Sequence, residues 1–163
     1  MRKQKGFSLI ELLIVVAIIL IIAAIAIPNL LRSRIAANEA SAVGSIRTLN
    51  TAEVTYSSTY PDKGFTCSLT SLGPPAGSGA ATSTAAGLVD SVLASGVKSG
   101  YSFALTGCTA AGSTSINVSY TSQGLPVAVG QTGQRGFCSD QSGVIHYNAA
   151  GTSCAPSTDP ALQ

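Results

Sequence analysis

Charge is scarce in this chain and histidine scarcer still: 10% of the 163 residues are Asp, Glu, Lys or Arg, and His146 is the one histidine. No G-x-S-x-G accompanies it, so Ser/His/Asp catalysis has no support, and His146 reads as a surface or core residue of a strand. The four cysteines, Cys67, Cys108, Cys138 and Cys154, contain no C-x-x-C pair, which makes a zinc cluster a poor reading. Calcium lacks partners as well. Asp140 is the sole acid between Asp90 and Asp159, and within Asp140-Gln141-Ser142-Gly143 it reads as a turn residue. Gly77-Ser78-Gly79 begins like a dinucleotide loop, but Thr82 stands where the third glycine belongs. Asn117-Val118-Ser119 fits a glycosylation sequon, though it lies within a strand-like run. The composition therefore points away from an enzyme, and no cofactor or metal is expected.

Basic surplus is missing too, once its position is considered. Arg2, Lys3 and Lys5 precede the apolar run; without them the nine bases fall to six, against seven acids. No basic stripe remains to hold a nucleic-acid backbone. What the chain does have is a sharp division. Residues 7–27 are almost entirely aliphatic, whereas the remainder is rich in Ser, Thr, Gly and Ala.

The apolar run admits three readings. In a secretory signal, a small-residue cut site follows the apolar region, and Ala23, Ala24 and Ala26 mimic one. A plain signal anchor fits by length, since the run spans about 30 Å as a helix. Neither explains Glu11, because a charge within a membrane segment costs roughly 2.5–3.5 kcal/mol and marks a function with a partner. By the positive-inside rule the basic N-terminus stays cytoplasmic, and all four cysteines are delivered where disulfides persist. Four cysteines allow three pairings. Cys67–Cys108 and Cys138–Cys154 are favoured because each closes a loop around its own strand-like segment, stabilising by roughly 3–4 kcal/mol each in the chain-entropy treatment.

Lys5-Gly6-Phe7-Ser8-Leu9-Ile10-Glu11-Leu12-Leu13 resembles the prepilin signature of type IV pilins and type II secretion pseudopilins. Pro28, just past the apolar run, resembles the family pattern as well. The resemblance is specific over residues 1–35 and only general beyond. It implies cleavage between Gly6 and Phe7 by a prepilin peptidase, N-methylation of Phe7, and assembly through Phe7, Glu11 and Pro28. The implied partners are further copies in a homopolymer, the peptidase and an inner-membrane assembly platform. The implied location is a single-pass inner-membrane precursor, then an extracellular pilus or a periplasmic pseudopilus. Physics supports the role of Glu11. Phe7 and Glu11 are four residues apart and share a face if helical, and cutting the Gly6–Phe7 bond creates an ammonium that a neighbouring carboxylate can neutralise where the dielectric is low. Conduction along aromatics, proposed for some family members, is not supported, because no aromatic lies between Phe7 and Tyr56.

Beyond Pro28, where a kink or local melting is expected near residues 24–28, the pattern turns amphipathic. Ile35, Ala42, Ile46, Leu49, Tyr56 and Tyr60 form one helical stripe, interrupted by Glu53, with Arg32, Arg34, Glu39 and Arg47 mostly off it. Pro61 stops the helix. A short helix is expected over residues 85–93, strands over 101–105, 116–120 and 144–147, and a further strand around 126–129. The fold class is α+β, a long N-terminal helix on a small antiparallel sheet. The expected organisation is a leader (residues 1–6), an apolar helix (7–30), an amphipathic helix (31–61) and an exposed domain (62–163). A pilus subunit is the leading functional reading. A type II secretion pseudopilin is the runner-up, and a non-polymerising membrane-anchored binding module is the alternative of another class.

Overall fold

The computed structural model describes residues 7–77 and 79–162. These divide between Arg34 and Ile35 into two compact units. Helix α1 (Leu9–Thr59) contributes its first half to one and its second half to the other.

In the first unit, α1 is continuous through Pro28, so the local melting expected there is absent. A proline removes a single N–H from the ladder, and the helical turns on either side persist around that one gap.

The second unit is built on five antiparallel strands in sequential order: β1 (Val97–Lys98), β2 (Tyr101–Ala110), β3 (Asn117–Pro126), β4 (Gly136–Asp140) and β5 (Ile145–Asn148). Lys98 pairs with Tyr101, so Ser99 and Gly100, at φ 50° and 73°, form a two-residue hairpin turn. Positive φ at both positions matches the twist of paired strands. The β2–β3 register runs from Tyr101↔Pro126 to Thr106↔Thr121, then resumes at Thr109↔Ser119. The resulting bulge takes Gly107 and Cys108 out of the ladder and frees Cys108 for a covalent partner.

From α1, Ala42, Ile46, Leu49, Ala52 and Tyr56 are buried in one core with Tyr101, Phe103, Leu105, Tyr120, Phe137 and Ile145 of the sheet. Burial of each large side chain contributes roughly 1.5–3 kcal/mol. Gly124 permits this close packing, because a Cβ there would stand 2.9 Å from the Phe103 ring. The amphipathic stripe is thus covered by the protein's own sheet, with Ile35 and Tyr60 half-buried at its ends.

Several elements differ from the sequence expectations. The short helix is α3 (Ser91–Ala94), which follows α2 (Leu69–Leu72) and begins only after Asp90. The Asp90 carboxylate accepts the Leu93 N–H at 2.8 Å and so defines the helix start as an N-cap. Residues 86–89 are instead tied by backbone hydrogen bonds to Ser71, Leu72 and Gly73, and Ala85 to Thr82. The strand expected around residues 126–129 is the end of β3 followed by a turn, in which the Gln131 and Thr132 N–H groups donate to the Ala128 carbonyl. In its place stands β4, buried at four consecutive positions; a strand covered on both faces shows no polar alternation to read.

Candidate assembly site

The first unit presents apolar surface almost without interruption. Phe7 is 82% exposed, and the large aliphatic side chains from Leu9 to Leu31 are 45–79% exposed. This part of α1 is long and apolar enough to cross a membrane, with none of its most apolar stretch buried. Glu11 is the one charged residue between Phe7 and Leu31.

Ser8 precedes the first helical residue, and its backbone N–H donates to Glu11 Oε2 at 3.4 Å. That is one arm of a capping box, with Ser8 at the N-cap and Glu11 three residues on. The pattern Ser8-Leu9-Ile10-Glu11 announces it in the sequence. Phe7 lies two residues before the start of α1, so the shared helix face expected for Phe7 and Glu11 is replaced by an arrangement around the cap. The carboxylate therefore sits at the positive end of the helix dipole, which favours it electrostatically. Gly6, and with it the junction expected to be cleaved, lies outside the described residues.

In the second unit, two glutamates on α1 have contrasting surroundings. Glu39 is 7% exposed. Its Oε1 accepts the N–H groups of Gln134 (3.0 Å) and Arg135 (3.1 Å), and its Oε2 takes Arg135 Nε and Nη2 at 2.9 and 2.7 Å. Burial alone would raise its pKa, but these donors prevail and hold it below the ordinary carboxylate value. The same guanidinium lies 5.5 and 5.7 Å from the Phe137 and Tyr147 ring centroids. Glu53 is fully buried, and among the described residues its one donor is the Thr66 N–H, at 2.8 Å on Oε2, while Oε1 has no hydrogen-bond partner. Burial, opposed by that one bond, pushes its pKa up to about 7. The sequence pattern placed Glu39 mostly off the buried stripe. The missed signal is its later partner, Arg135, 96 residues further along the chain.

Two disulfides tie the second unit together: Cys67–Cys108, with Cα atoms 6.0 Å apart, and Cys138–Cys154, at 5.6 Å. Asp159 lies close to Cys138 and Cys154, but both sulfurs are bonded to each other and offer no thiolate to a metal. Asp140 serves a turn, its carboxylate accepting the Ser142 N–H at 2.9 Å while its carbonyl accepts the Gly143 N–H. His146 Nδ1 lies 2.7 Å from the Asp159 carbonyl oxygen. Asn117 Nδ2 donates to the Phe65 carbonyl, which occupies the nitrogen a glycan would need.

Residues 1–27 match the family described as the prokaryotic N-terminal methylation motif. The type IV wide pilus major component PilA4 of Thermus thermophilus is 67% identical over 39 residues, 24% of this chain and 30% of that protein. The type IV major pilin protein PilA of Myxococcus xanthus is 44% identical over 54 residues, 33% of this chain and 24% of its own length. The type II secretion system core protein G of Vibrio cholerae is 42% identical over 64 residues, 37% of this chain and 44% of that protein. The chain thus spans less than half the length of each of these relatives. No solved structure matches.

Proposed function

We propose that the protein is the structural subunit of a type IV pilus. In this reading it is made as an inner-membrane precursor, cut between Gly6 and Phe7 by a prepilin peptidase and methylated at Phe7. An inner-membrane assembly platform then polymerises it through the first half of α1. The observation that carries the reading is the uncovered aliphatic surface of residues 7–31 with Glu11 as its one charge, inside a segment matching the methylation motif. A lone carboxylate in such surroundings calls for a cation, and cleavage supplies one as the new amine of Phe7. In the precursor, Glu11 leans on the Ser8 N–H; in the filament, the amine of a neighbouring subunit offers a full charge. A structural subunit of this kind has no reaction to catalyse.

The test is Glu11→Val with processing followed by mass. The expected result is a cleaved, methylated protein absent from the sheared, pelleted filament fraction. Normal filament yield from the processed variant would overturn the role of Glu11. A type II secretion pseudopilus is the second reading, favoured by the likeness to core protein G of Vibrio cholerae. Filaments recovered from the cell exterior support the pilus, and filaments confined to the periplasm support the pseudopilus. A processed protein that stays monomeric in the membrane would support a binding module instead.

A further inference from the structure

The buried Glu53 carboxyl sits beneath the segment that follows α1. Its single hydrogen-bond donor, the Thr66 N–H, belongs to that segment, and the next residue, Cys67, carries the disulfide to Cys108. The titratable side chains that act on it are Tyr56 from α1 and Tyr120 from β3, while the segment itself carries Asp62 and Lys63, exposed and paired with each other at 3.5 Å. Neither tyrosine is cationic and Lys63 is paired with Asp62 at the surface, so among the described residues the closed carboxyl has no counter-charge. The segment is otherwise tied to the start of β3. Phe65 N–H donates to the Asn117 carbonyl at 3.0 Å, Asn117 N–H to the Lys63 carbonyl at 2.9 Å, and Asn117 Nδ2 to the Phe65 carbonyl at 3.0 Å.

The two disulfides differ in access. Cys138 and Cys154 are 0% and 6% exposed, whereas Cys67 is exposed and Cys108 half-buried at the bulge of β2. Thiol–disulfide exchange requires a thiolate to reach a sulfur, so the bond beside Glu53 is the accessible one.

We propose that residues 61–67 form a latch over Glu53, held shut by the Cys67–Cys108 disulfide and, once a dithiol reductant cleaves that bond, loosened as pH rises from the ordinary carboxylate range to neutrality. In the redox step the reductant's two thiols become a disulfide, and their two protons and two electrons pass to Cys67 and Cys108 as thiols. The Cys67–Cys108 bond breaks and one sulfur–sulfur bond forms on the reductant. Opening then lets Glu53 lose its proton to solvent and be hydrated. Release of the latch is thereby coupled to pH only where the disulfide no longer opposes it.

The experiment measures amide hydrogen exchange of residues 61–70 in the full chain in detergent, corrected for intrinsic exchange, from the ordinary carboxylate range to above neutral pH. In the paired variant Cys67→Ser, Cys108→Ser, which mimics reduction without adding titrating thiols, protection of the Thr66 amide should fall by up to about tenfold per pH unit from the ordinary carboxylate range up to neutrality and level off above it. The disulfide-bonded protein should show pH-independent protection there. Adding Glu53→Gln to the serine pair should remove the pH dependence. Protection that ignores pH in the serine pair, or pH dependence that survives Glu53→Gln, overturns the proposal. A second measurement uses the unaltered protein, titrated with dithiothreitol and mapped by alkylation. Cys67 and Cys108 should be labelled before Cys138 and Cys154, and simultaneous or reversed labelling overturns the latch even if the serine pair does not fold.

Discussion

Along α1 the two halves of one helix solve opposite problems. From residue 7 to 31 the aliphatic side chains point into open surroundings and Glu11 is exposed among them. From Ile35 to Thr59 the apolar positions meet a sheet, and the two acids on that half, Glu39 and Glu53, are buried. Helical propensity alone does not distinguish the halves. The difference lies in where each finds the surface that removes it from water: the second half finds it within the chain, and the first half is left for lipid or other molecules. Each glutamate then reports its own setting: a helix cap for Glu11, a bidentate arginine for Glu39 and a single amide for Glu53.

The comparison breaks most readily at the core. Leu49→Ala should destabilise the second unit by about 2–5 kcal/mol, because Leu49 is fully buried. Ile18→Ala, on a side chain 52% exposed, should leave denaturant unfolding of that unit within about 0.5 kcal/mol of the original. Equal losses for both would dissolve the distinction between the halves.

A pH series sharpens the contrast between the buried acids. Glu53 has a folded pKa of about 7 against an ordinary 4.5, so the unfolded chain releases its proton first. Stability should decline as pH rises from the unfolded value through neutrality, by on the order of 3 kcal/mol in total. Glu53→Gln should flatten that limb in denaturant titrations at several pH values, and a limb of unchanged slope would assign it to other groups. Glu39 carries the opposite sign. Its depressed pKa contributes stability above the ordinary carboxylate range that is lost as acid protonates it. Arg135→Ala should destabilise by about 1–3 kcal/mol by stripping a buried carboxylate of its two guanidinium donors, measured at neutral pH, and the loss should shrink in acid. Smallest is Gly44→Ala. A Cβ there meets nothing within 4 Å, so thermal unfolding should show a gain of about 0.5–1 kcal/mol from helix propensity.

The stripe of Ala42, Ile46, Leu49 and Tyr56 was legible because helical periodicity is local and survives in sequence. The hairpin turn at Asp140–Gly143 was legible for the same reason, since its side chain caps its own backbone. β4 was not, because burial on both faces erases the alternation that marks a strand. The onset of α3 turned on one aspartate cap, a weaker signal than the run of alanine and leucine before it. At the candidate assembly site, Glu11 stands out as a charge in an apolar run and Gly6 and Phe7 through the resemblance to the prepilin signature, while the capping arm from Ser8 is also written in the spacing of the chain.

By itself the sequence determined the long apolar helix, its lone carboxylate and the basic residues before it, because each depends on residues within a turn or two of one another. Tertiary structure alone decided that Glu39 meets Arg135 across the fold. It also decided that Glu53 is sealed beneath Thr66 and that one disulfide lies open while the other is buried. Burial and charge pairing arise between segments distant along the chain, and no local pattern states which of them will meet.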